Sequence, residues 1–161
     1  MIIPTKEECL VLLNKNKTPS KIIEHSKTVC KVAENIAKNL MRRGRKLNKK
    51  LVIASALLHD IERARERHVV EGVKLLKNLG FPEVAKVIKK HSLYKLQQKN
   101  RQPHSWEEKI VFYADKRVTG DKIVSLEERF KALEKRYNVN LNKELEFTKK
   151  IEKQLLGNEK L

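Results

Sequence analysis

The run LVIASALLHD, Leu51 to Asp60, is apolar on nearly every side until it reaches His59 and Asp60. At helical spacing Val52, Ala56 and His59 share a face, with Asp60 beside it. A helix that is apolar all round has to be enclosed by others. This one therefore delivers an imidazole and a carboxylate to the interior. A buried carboxylate is costly unless its charge is compensated. The chain must surround this helix and also supply a counter-charge at its end.

The surrounding elements are helical as well. Thr18-Pro19-Ser20 has the pattern of an N-cap with proline in the first turn, opening a helix to about Arg43 that Gly44 ends. Asn48 can cap the apolar helix, which is expected over Lys49 to about Ile61. Helices follow over about Val69–Leu79, stopped by Gly80, and from Phe81-Pro82-Glu83 to about His91. Ser105-Trp106-Glu107-Glu108 is a capping-box pattern opening a helix to about Val118. Two more amphipathic stretches cover Ser125–Tyr137 and Leu141–Leu156. No segment alternates with period two for long enough to make a strand. The expectation is an all-α fold of about seven or eight helices, with a polar loop from about Ser92 to His104 able to fold over a site.

Composition narrows the function. With 37 Lys+Arg against 20 Asp+Glu the formal charge is +17. That suits a nucleic acid, an anionic small substrate or simply a lysine-rich surface. Basic residues are spread along the chain, as on solvated helix faces, and aromatics are only 5% of residues, without the basic-aromatic interleaving of a single-strand binder. No apolar run approaches the roughly 18 residues of a membrane span. MIIPTKEECL lacks the plan of a signal peptide. A cytoplasmic protein without a membrane partner is expected, and Cys9 and Cys30 fit that compartment as free thiols.

The remaining chemistry-bearing side chains fall on inward faces. His25 shares a stripe with Ile22, Val29, Ala33, Ile36 and Leu40; His91 with Val84, Val87 and Ile88; Asp115 with Val111 and Val118. Taken singly, each histidine suits a satisfied core position. Together they offer nitrogen and carboxylate ligands to a divalent ion, with no thiolate.

This constellation resembles the HD-domain metal-dependent phosphohydrolases, over about Lys21 to Val118. The matching segments are EHSKTVCKVAENIA around His25, ASALLHDIERA around His59 and Asp60, and IVFYADKRV around Asp115. The resemblance implies a single HD-domain helical bundle over residues 1–161, with a core of about 19–118 and a C-terminal helical extension of about 125–156. It also implies that His25, His59, Asp60 and Asp115 bind metal. His68, in ERHVVEGVKLLKNLGF, and His91, in VAKVIKKHSL, match two further histidines of members that hold two metals. Asp60 would then bridge two ions, with His25, His59 and Asp115 on one and His68 and His91 on the other. The pattern is most similar to bacterial HD proteins that cleave diadenosine tetraphosphate. His59-Asp60-Ile61-Glu62-Arg63 departs from their usual His-Asp-Ile-Gly-Lys, placing Arg63 where a phosphate-binding lysine is common.

The implied activity is hydrolysis of a phosphoester or phosphoanhydride bond in a nucleotide or dinucleoside polyphosphate. A divalent metal (iron, manganese, cobalt, nickel or zinc) activates the water, and His59 and Asp60 stand at the catalytic centre. Arg63, Lys90, Lys116 and Arg117 are the candidate phosphate-binding cations. Asp121 suits a cap, His104 a surface loop, and Trp106, Phe112 and Tyr113 the core. The expected partner is a phosphorylated small molecule, with nucleic acid less favoured. The last two helices suit packing or a homodimer. The alternative function is a non-catalytic HD module that binds a nucleotide signal or nucleic acid, but the intact ligand set argues against it.

Overall fold

A computed structural model describes all 161 residues, Met1–Leu161. It contains eight α-helices and one two-stranded hairpin: α1 Lys6–Lys15, α2 Ser20–Arg42, α3 Lys49–Leu58, α4 His68–Asn78, α5 Pro82–Ile88, α6 Trp106–Asp115, β1 Val118–Thr119, β2 Lys122–Ile123, α7 Leu126–Tyr137 and α8 Asn142–Leu156. The all-α expectation holds. No helix is long and apolar enough to cross a membrane.

α3 is the hub. Seven of its ten residues are buried, and it packs against α1, α2, α5 and α6. Ala54, Ser55 and Ala56 are all fully buried, and side chains this small let neighbouring helices approach closely from several sides. The 23-residue α2 lays its apolar stripe, including Val29, Ala33, Ile36 and Leu40, along α3 and α6. α4 packs on α5, and α8 on α6 and α7. Phe112 and Tyr113 are fully buried, as core aromatics should be.

Several boundaries differ from the sequence reading. α1 was not expected, yet Thr5 and Glu8 form a complete capping box at its start. Thr18 does not cap α2. Its hydroxyl donates to the Ile61 carbonyl at 3.0 Å, and Pro19 occupies the N-cap. α3 stops at Leu58 and α5 at Ile88, and just past each end His59 and His91 turn their rings back onto the Ala56 and Ile88 carbonyls. α6 stops at Asp115, and the chain then makes a hairpin with Val118 opposite Ile123 and Thr119 opposite Lys122. Gly120 supplies the φ of +59° that the first position of a tight hairpin turn takes. Strands of two residues are too short to show a period.

Candidate metal centre

Five elements converge on one point. His25 comes from α2, His59 and Asp60 from the turn after α3, and His68 from the first residue of α4. His91 comes from the turn after α5, and Asp115 ends α6. The turn that carries Asp60 is stitched to the corner before α2: Asn16 Nδ2 donates to the Ile61 carbonyl at 3.1 Å and to Glu62 Oε1 at 3.0 Å. Glu62 also pairs with Arg65 at 2.6 Å, so its charge is directed away from Asp60.

Three imidazoles are oriented by the same device. Nδ1 of His59 donates to the Ala56 carbonyl at 2.7 Å, that of His91 to Ile88 at 2.6 Å, and that of His25 to Gly120 at 2.8 Å. A carbonyl only accepts, so Nδ1 is the donor in each bond and Nε2 is the ring nitrogen turned toward the carboxylates. The three Nε2 atoms then face carboxylate oxygens. His25 and His59 approach Asp115 Oδ1 at 3.0 and 3.2 Å. His59 and His25 lie 3.3 and 3.9 Å from Asp60 Oδ2. His91 and His68 lie 3.5 and 3.8 Å from the other oxygen, Oδ1.

Asp60 and Asp115 are only 7% and 6% exposed, so their charges need compensation on site. Asp115 has one fixed counter-charge. Lys116 Nζ, itself buried, donates to Asp115 Oδ2 and to the His91 carbonyl, both at 2.8 Å. Around Asp60 stand only imidazoles. Burial alone would raise both carboxyl pKa values, but the histidines around Asp60, and Lys116 with His25 and His59 around Asp115, hold them well below the usual range. Burial opposes charge on His59, yet the two carboxylates push it up to about 10. Burial, with Arg63 adding, draws His68 down to about 4 despite Asp60. The centre thus demands positive charge between its two aspartates. His59 Nε2 is buried without a hydrogen-bond partner, as a nitrogen reserved for a ligand bond would be. The donors fall into two sets that could each hold a metal ion, His25/His59/Asp60/Asp115 and Asp60/His68/His91, with Asp60 common to both.

A cavity of about 400 Å³ opens beside His68, His91 and Asp115. Arg63 borders it, with Nη1 3.0 Å from His68 Nε2. The other expected cations are engaged. Lys116 borders the cavity but is bound to Asp115. Arg117 turns away to the Val124 carbonyl and the Tyr113 hydroxyl, each at 2.6 Å. Lys90 donates to the Asn100 carbonyl. In their place stands Arg129 of α7, whose Nε is buried without a partner. From the sequence α7 suits packing or a dimer contact, although Arg129, Leu133 and Tyr137 recur at four along one face. That face, with Ser92, Leu93 and Tyr94 at the start of the polar loop, walls the cavity. His104 is an exposed loop residue, and Asp121 lies exposed in the hairpin turn.

The family model for the HD domain matches residues 22–120. The chain is 29% identical to a tRNA (cytidine(56)-2'-O)-methyltransferase of Picrophilus torridus, over 95% of this chain and 47% of that protein. A protein of the same name from Thermoplasma volcanium is 34% identical over 79% of this chain and 40% of its own length. An uncharacterized protein of Methanocaldococcus jannaschii is 33% identical over 83% of this chain and 87% of its own length. The chain therefore spans less than half the length of both of these methyltransferases. No solved structure is significantly similar to it.

Proposed function

The chain belongs to the HD-domain family, and from that membership we propose that it is a metal-dependent phosphohydrolase acting on a nucleotide or dinucleoside polyphosphate. The observation that carries this reading is the division of Asp60. One oxygen faces His25 and His59, and the other faces His68 and His91. His25, His59, Asp60 and Asp115 would hold one ion, and Asp60, His68 and His91 a second. Divalent ions held there supply a water nucleophile of lowered pKa and neutralise charge gathering on phosphoryl oxygens.

The chain's own residues prepare the site for this chemistry. The Nδ1 bonds of His25, His59 and His91 fix their rings with Nε2 inward, a bond type whose loss commonly costs ten- to a hundredfold in metal affinity. Lys116 occupies Asp115 Oδ2 and leaves Oδ1 toward the centre. Arg63 and Arg129 present guanidinium groups to a phosphate in the cavity, where bidentate contact is strong. Leu133 and Tyr137 offer an apolar wall to a base. We take residues 19–118 as the HD core, with the extension over 125–156 contributing this wall.

The relatives' methyl transfer is not carried over. The stretch they share with this chain is under half of each, and its chemistry-bearing cluster suits phosphate hydrolysis. What their names do support is an association of such a stretch with RNA.

The test is elemental analysis of protein purified without chelator, beside Asp60→Ala, followed by hydrolysis of bis(p-nitrophenyl) phosphate. Near two ions per chain, lost in the variant, with metal-dependent hydrolysis, is expected. Absence of metal after reconstitution with iron, manganese and zinc under reducing conditions overturns the reading.

A further inference from the structure

The proposed centre has room on two sides. His68 borders the cavity beneath α7 and also a second cavity of about 510 Å³; Ser92 and Tyr94 border both. The second cavity is cationic. Arg67, Lys89 and Arg101 line it against a single carboxylate, Glu66, and none of the three forms an ion pair. The first turn of α4 contributes Val69 and Val70 to the lining, and no side chain caps that turn.

Tyr94 stands where the two cavities meet. Its side chain is exposed (63%), with the Arg101 guanidinium 5.7 Å and Lys95 Nζ 5.3 Å from the ring centroid. Its place is fixed from both sides. Ser92 Oγ accepts its main-chain N–H at 3.0 Å. Lys95 takes a left-handed φ of 52°, and Leu96 is then buried. An exposed aromatic among cations that can give way to a base, beside a basic groove, suits single-stranded nucleic acid, bound by stacking and phosphate contact. A mononucleotide in the first cavity leaves the second one unused.

We infer that the substrate is a single-stranded nucleic acid, with one nucleotide in the α7 cavity and the chain continuing across His68 over Tyr94 into the Arg67–Lys89–Arg101 groove. This rests on the metal-dependent hydrolase reading above, and puts a strand in place of the free nucleotide or dinucleoside polyphosphate named there. In the step itself, water oxygen bonds to the scissile phosphorus and one P–O ester bond breaks. The departing oxygen receives a proton, leaving one fragment with a phosphate and the other with a hydroxyl. No oxidant or reductant is consumed.

The experiment measures binding apart from turnover. Affinities of a labelled oligoriboadenylate, the matching oligodeoxyadenylate, diadenosine tetraphosphate and AMP are compared in chelator, for wild type, Tyr94→Ala and Lys89→Ala/Arg101→Ala. These side chains are exposed or half-buried, and circular dichroism checks the variants' folding. An oligonucleotide binding at least about tenfold tighter than AMP, with most of that advantage lost in both variants, is expected. The ribo and deoxy probes show which backbone is preferred. An oligonucleotide no tighter than AMP, an advantage the variants leave intact, or a Tyr94-dependent preference for diadenosine tetraphosphate overturns the inference. The two readings fail differently. A strand that binds in this way to metal-loaded protein that cleaves neither it nor bis(p-nitrophenyl) phosphate sinks the hydrolase and leaves the groove; one bound but uncleaved by protein that hydrolyses the small phosphoester overturns the strand as substrate. Metal-dependent hydrolysis of small phosphoesters without strand binding sinks the groove and leaves the hydrolase.

Discussion

His59 and His91 meet edge to face, with ring centroids 5.0 Å apart and planes at 79°. Each follows the last turn of its helix and anchors Nδ1 on the carbonyl three residues back, Ala56 and Ile88 respectively. The same local device thus serves twice, and it aims the two Nε2 atoms at different oxygens of Asp60. The pair joins two ligand sets through one carboxylate.

This geometry separates the two sites experimentally. His91 contacts only the Asp60 Oδ1 side, whereas His59 contacts both Asp60 and Asp115. His91→Ala is expected to retain about one ion per chain, with hydrolysis reduced about a hundredfold or more. His59→Ala is expected to retain almost none. Elemental analysis beside a hydrolysis assay checks both, and two ions retained by His91→Ala would contradict the division.

Lys116 is expected to matter through Asp115 more than through substrate. Its ammonium is the only lysine or arginine group hydrogen-bonded to either aspartate, and both partners are nearly sealed from water. Lys116→Met leaves Asp115 facing only imidazoles. Breaking such a buried pair costs about 3–5 kcal/mol. Chemical denaturation in chelator measures the loss. Added divalent metal should recover part of it, since an ion in the first site compensates the same carboxylate.

The hairpin after α6 is expected to tune the first site from outside it. Gly120 holds His25 Nδ1 through its carbonyl and has a φ of +59°. A Cβ there would meet nothing within 4 Å, so Gly120→Ala adds backbone strain of about 1 kcal/mol without a clash. Loosening the carbonyl should weaken metal retention by roughly tenfold, seen as a shift in competitive chelator titration. Unchanged retention would mean that the Gly120 bond does not orient His25.

What the sequence discloses and what it hides follow from the range of each interaction. Helices with periodic apolar faces and local caps are plain in it. The Thr5–Glu8 capping box is as legible as Ser105–Glu108 and could have located α1. Helix ends near the centre were overrun because His59, His91 and Asp115 continue the apolar stripes, while the side-chain bonds just past α3 and α5 exist only once the rings fold back. His25, His59, Asp60, His91 and Asp115 were visible from face and order, and His68 only through the family resemblance. Arg129 was not, because its place over the cavity depends on how α7 docks. Nor was the partner of Glu62, since Asn16 lies 46 positions earlier.

The two thiols set a pH limit on the fold. Cys9 and Cys30 are free, buried in the core between α1, α2 and α3. Burial pushes Cys9 up to about 12, with Cys30 and Glu8 adding, and pushes Cys30 up to about 11, from an ordinary value of 9.0. In the unfolded chain both ionise near that ordinary value. The folded state therefore holds more protons above pH 9, and stability falls with rising pH there. The contribution is complete below pH 9 and is lost progressively as pH climbs toward 11 and 12, a change of order a few kcal/mol. Denaturant midpoints measured from pH 8 upward should decline more steeply in wild type than in Cys9→Ala/Cys30→Ala. Alkylation at pH 8 should be slow until denaturant is added. Equal slopes for the two proteins would show that these thiols do not control the alkaline limit.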